Sequence, residues 1–90
     1  MREGAYKGHG RITFSDQDHP VRYMLQVYRS GQLLDSDGGL EADHWHVWRE
    51  AFDAQRVMLT LDDGKVGPVI ITQWRPGDAV ASFKGAGAFQ

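Results

Sequence analysis

Between Val21 and Tyr28 the chain alternates without a break. Val21, Tyr23, Leu25 and Val27 fall on one side, and Arg22, Met24, Gln26 and Tyr28 on the other. Successive side chains of a strand point to opposite faces, so this run predicts a strand over 21–29 with one face in a core. Around it the pattern repeats in weaker form. Gly8–Ser15 carries Ile12 and Phe14 in alternation with Arg11 and Thr13, and Asp16-Gln17-Asp18-His19-Pro20 reads as the turn joining the two strands. Val57–Leu61 alternates strictly and runs into Asp63-Gly64, the strongest short hairpin signal. A return strand is expected over Lys65–Trp74, with a bulge or edge at Gly67-Pro68. After the turn Arg75–Asp78, a last strand is expected over Ala79–Lys84, with Ala79, Ala81 and Phe83 on one face.

One segment has a different period. At 100° per residue, Trp45, Trp48 and Phe52 share a stripe, while His46, Arg49, Glu50 and Asp53 lie opposite. With Asp43 as N-cap, this predicts an amphipathic helix over 43–54 that lays an aromatic face on the sheet. Leu33-Leu34 and Leu40–Ala42 are left as fragments of a third strand, interrupted by the acidic glycine turn Asp35–Gly39.

The order is thus β-β-β-α-β-β-β, counting the fragmentary third strand. Short connections imply antiparallel pairing, because parallel pairs need long crossovers. The expected fold is mainly β within the α+β class. It is a small antiparallel barrel or curled sheet of five to six strands, with one helix between strands 3 and 4. Three strands, a helix and further strands is also the element order of the OB-fold. That match is one of architecture, and no family motif accompanies it. One domain is expected over 8–86, with a flexible arm at 1–7 and a frayed end at 87–90. The expected core holds Ile12, Phe14, Tyr23, Leu25, Val27, Trp45, Trp48, Phe52, Leu59, Leu61 and Phe83.

Composition removes several chemistries. The 90 residues include no cysteine, so disulfides, thiolate nucleophiles and cysteine metal sites are out of reach. The first seven residues have no apolar stretch of the kind a signal peptide needs, and the longest apolar run is Val69-Ile70-Ile71. The expectation is a cytoplasmic protein with no membrane partner. Net charge is −2. Residues 1–29 hold five basic residues against three acidic ones, and residues 35–53 hold one against six. This lacks the clustered basic footprint of phosphate neutralisation and argues against a nucleic-acid partner.

The motifs that resemble sites are weak. His44-Trp45-His46 has metal-binding residue types, but on the expected helix the two histidines splay about 200° apart. The pair His46–Glu50 supplies two ligands where zinc wants three or four. Asp35-Ser36-Asp37-Gly38-Gly39 with Glu41 departs from the calcium-loop spacing. Ser15, Asp16 and His19 have the types of a hydrolase triad without a nucleophile elbow. The glycines at 8, 10, 85 and 87 lack the lysine and helix of a phosphate loop. No catalytic residue, metal ligand or cofactor is therefore nominated.

The candidate site is the outer side of the second strand: Arg22, Met24, Gln26 and Tyr28, with Arg11 and Thr13 expected beside it. Arg, Met and Tyr are enriched at interfaces. The expected function is a non-catalytic interaction module for a protein partner or for self-association. Its alternatives are an OB-like nucleic-acid binder and a small-molecule binder at a Trp-lined barrel mouth.

Overall fold

A computed structural model describes all residues 1–90. Six strands and one helix follow in the order β1 (Gly4–Phe14), β2 (Gln17–Ser30), β3 (Leu33–Ala42), α1 (His46–Asp53), β4 (Val57–Thr60), β5 (Val66–Gln73) and β6 (Val80–Gly85). The strands close into a barrel in the spatial order β1-β2-β3-β6-β5-β4, and every pair is antiparallel. All six strands of the expected order are present, one more than the OB order has. The OB-fold proper is five-stranded and partly open. No helix is long and apolar enough to cross a membrane.

Turn chemistry fixes the registers. Ser15 and Asp16 both have positive φ, at 51° and 62°, which is the two-residue hairpin turn whose twist matches the strands. Phe14 therefore faces Gln17, and the whole β1–β2 register follows. The turn sits earlier than expected, so Asp18, His19 and Pro20 belong to β2. At the other end Gly31, with φ 65°, closes β2 onto β3. Asp62-Asp63-Gly64 joins β4 to β5 where Asp63-Gly64 signalled it, with Gly64 at φ 89°.

Inward residues alternate strictly on β2. Val21, Tyr23, Leu25 and Val27 are buried and the residues between them are exposed. They meet Ile12, Phe14, Leu40, Ala42, Leu59, Val69, Ile71, Ala81 and Phe83 in one core. A six-stranded barrel is narrow enough for side chains to fill it. Trp48 of α1 enters this core with no exposed surface, and its indole N–H donates to the Ala79 carbonyl at 2.7 Å. Burial of the Trp48 ring without a partner for its N–H would be costly, so this bond fixes the ring's place.

Several expectations are corrected. The strand β1 begins at Gly4, opposite Val27, so residues 4–7 are sheet and not an arm. The C-terminus does not fray: Gln90 and Val66 exchange backbone hydrogen bonds at 2.9 Å, and the Phe89 ring is buried over Gly67. Only a glycine fits at 67, because a Cβ there would come within 2.7 Å of that ring. β3 is continuous through Asp35–Gly39, since Gly38 packs against the Met24 carbonyl where a side chain could not. The irregularity of β5 falls at Ile71–Gln73, after the Gly67-Pro68 step.

The helix is shorter than expected and rotated. It starts at His46, Trp45 stands at the N-cap with no side-chain bond, and Asp43 caps nothing. Bonds from Val47 N–H to His44 O and from Trp48 N–H to Trp45 O tighten the entry. Its buried residues are Trp48 and Ala51, with Val47 and Ala54 partly covered. Trp45 is only half-buried and Phe52 is 51% exposed, so neither is core. Both instead pair with Trp74, at ring-centroid distances of 6.1 Å and 6.4 Å.

Candidate functional site: the outer wall of strands β2 and β3

Arg22, Met24, Gln26 and Tyr28 all face outward from β2. Their partners on β3 are Glu41, Gly39, Asp37 and Asp35, so an acidic stripe runs beside them. Those β3 carboxylates are the residues that suggested a calcium turn. In the strand they stand in a row, and two of them, Glu41 and Asp37, hold neighbouring side chains. Arg22 Nε donates to Glu41 Oε1 at 2.8 Å, and the Tyr28 hydroxyl donates to Asp37 Oδ2 at 3.2 Å. Hydrogen bonding to Arg22 holds the Glu41 carboxyl below its usual range, and the same bond raises Arg22. The Tyr28 phenol is pushed up by desolvation and by its bond to Asp37.

Met24 is the exception in the row. Its cross-strand neighbour is Gly39, which offers no side chain, and Met24 remains 68% exposed. Beyond Gly39 lies Ser82 of β6, and Val80 of the same strand is 48% exposed. The missing side chain leaves a shallow groove of about 470 Å³ in the barrel wall. Its lining includes Met24, Gly39 and Val80, with Lys7, His9, Arg22 and Glu41 at the polar rim. The groove depends on two glycines in different ways. A Cβ at Gly38 would run into the Met24 carbonyl oxygen, so Gly38 lets β2 and β3 approach. A Cβ at Gly39 would meet nothing nearer than the Ala81 carbonyl at 3.7 Å, so the space above it is open.

The neighbours on β1 differ from those expected. Ala5, Lys7 and His9 stand opposite Gln26, Met24 and Arg22, whereas Arg11 faces Pro20 and Thr13 faces Asp18. Lys7 and His9 are thus the β1 side of this surface. Sequence reading missed Lys7, His9, Gly39 and Val80. The signal for Gly39 was present: a glycine pair inside a strand marks a close backbone approach or a missing side chain.

The other weak motifs resolve as follows. His44 and His46 do not splay, because His44 lies before the helix. Their Nδ1 atoms are 2.7 Å apart, their rings stack at 4.3 Å, and the His46 N–H donates to His44 Nδ1 at 3.3 Å. No group of three or more His, Asp or Glu side chains converges anywhere in the chain. Ser15 and Asp16 form the hairpin turn, while His19 contacts Gln17 and stacks on Phe14 at 5.2 Å. None of the five surface depressions is lined by more than one tryptophan. Compared with known proteins, the chain matches no family model, no curated protein and no solved structure.

Proposed function

We propose that the chain is a non-catalytic interaction module that docks a protein partner on the outer wall of β2 and β3. The supporting observation is the row itself. Met24 stands exposed over the Gly39 groove, while Arg22 and Tyr28 on either side are held in place by carboxylates. A partner side chain of apolar character would enter the groove and desolvate Met24 and Val80. Arg22 and Glu41, already paired, would fix register at the rim with little ordering cost. A cysteine-free chain suits a reducing compartment, and the cytoplasm is the setting we propose.

The alternatives have less support. Nucleic-acid binding of the OB type would need Arg11, Arg22 and Arg29 on one patch. Arg22 and Arg29 lie seven residues apart on one strand, roughly 23 Å at about 3.3 Å per residue. Each also has an acidic neighbour, Glu41 at 2.8 Å and Glu3 at 3.9 Å. A small-molecule site at a Trp-lined mouth has less support, since only one of the surface depressions is lined by a tryptophan, Trp74. The test compares partner capture by the wild type and by the double variant Met24→Asp/Tyr28→Ser, with thermal melts to confirm folding. Loss of capture in a folded variant supports the surface; unchanged capture removes it.

A further inference from the structure

The barrel is not sealed along its whole length. β1 pairs with β2 from Gly4 to Phe14, but with β4 only from Arg11 to Thr13. The turn after β4 covers the next stretch: a Cβ at Gly10 would strike the Thr60 carbonyl, and one at Gly8 the Asp62 carboxylate. Residues Gly4 to Lys7 therefore have a ladder partner on one side only.

Which backbone groups are free follows from alternation. Residues of an antiparallel pair are by turns hydrogen-bonded and not. The two-residue turn makes Phe14–Gln17 a bonded pair, so Ile12, Gly10, Gly8, Tyr6 and Gly4 bond to β2. Thr13 and Arg11 then bond to β4, and Ala5 and Lys7 point their N–H and C=O groups at the open edge. The same count along β3 assigns Ala42 to the β6 side, where its N–H does donate to Ala79 O at 3.0 Å. Unpaired strand edges of this kind are templates for a further strand.

We propose that two copies of the chain pair through this edge, β1 against β1, antiparallel about a two-fold axis at Tyr6. Parity and charge select that register. Bonded pairs must join edge-facing residues, which are Ala5 and Lys7. Placing the axis at Lys7 would oppose two lysines, and placing it at Ala5 would use only one edge residue of each strand. With the axis at Tyr6, Ala5 meets the partner's Lys7 twice, and each pair exchanges two backbone hydrogen bonds. On the inner face the Tyr6 ring lies over Gly4, at ordinary contact distance from where a Cβ would stand, while the space over Gly8 is held by Asp62 and Tyr23. The Tyr6 ring is already oriented by its hydroxyl, which donates to the Arg2 carbonyl at 2.6 Å. This inference uses backbone groups of β1 and does not rest on the β2 surface.

The test is sedimentation equilibrium on the full chain from micromolar to millimolar concentration, with three variants at one exposed position. The wild type is expected to show a concentration-dependent dimer. Ala5→Glu places a carboxylate opposite the partner's Lys7 and should tighten it; Ala5→Lys opposes like charges and should weaken it. Because two symmetry-related pairs change together, we expect roughly a tenfold shift in the dimer Kd in each direction. Ala5→Pro removes an edge-facing N–H without touching the bonds to β2 and should leave monomer. Hydrogen exchange is the second readout: the Ala5 and Lys7 amides should slow on dimerisation, while the Tyr6 amide is slow in both states. A wild type that stays monomeric at millimolar concentration overturns the proposal. So does a dimer whose Kd ignores all three substitutions.

Discussion

Two rows of large side chains were legible in the sequence, and they behave differently. The row on β2 faces as its alternation requires, with Arg22, Met24, Gln26 and Tyr28 outward and the residues between them buried. The row on α1 is turned: Trp48 and Ala51 are buried, while Phe52 is 51% exposed and Trp45 half-covered. The difference is geometric. A strand has two faces 180° apart, so a buried neighbour decides every residue in it. A helical stripe can turn by tens of degrees and still bury one aromatic, and Ala51 with Ala54 lets the backbone approach the sheet more closely than Phe52 would.

The largest expected effect lies on the helix. Trp48→Ala should cost about 3–5 kcal/mol, as for other fully buried aromatics. The whole domain has on the order of 5–13 kcal/mol. Phe52→Ala, one turn further along, should cost under about 1 kcal/mol. Urea titration of both variants checks this contrast; equal losses would mean that the aromatic stripe packs as a unit. A smaller effect separates two adjacent glycines. Gly38→Ala must displace the Met24 carbonyl and should cost roughly 1–3 kcal/mol. Gly39→Val adds a β-branched residue in open space and should leave the melting temperature unchanged or slightly raised.

The smallest effect concerns pH. Glu41 and Asp63 both have lowered carboxyl pKa values, Glu41 through its bond to Arg22 and Asp63 through the backbone N–H of Lys65. A carboxyl depressed in the folded state contributes stability that is present above its unfolded pKa and lost as pH falls through the folded value. Stability should therefore be flat from neutrality to about pH 5 and decline below the ordinary carboxylate range near 4. Both groups are exposed, so the decline should be shallow and should flatten in Glu41→Gln. Denaturant midpoints measured from pH 7 to pH 3 give the slope.

The strand count, the antiparallel pairing, the helix between strands 3 and 4 and nine of the eleven expected core residues could be read from pattern. The parts that could not were long-range. Nothing near Gly4 announces that Val27 waits opposite it, and Phe89 looks like a tail residue until Gly67 provides its seat. The same holds for the surface. The β2 row was readable, but Lys7, His9 and Val80 join it only through register, and Gly39 matters because of what lies beside it.

The most direct measurement places a photo-crosslinking amino acid at Met24, and separately at Ile70, which is 55% exposed on β5 outside the groove. Both are irradiated in cells of the native host. The account predicts a discrete protein adduct from position 24, none from position 70, and loss of that adduct when Gly39→Leu fills the groove. Equal labelling from both positions, or an adduct at 24 that survives the filled groove, would contradict it.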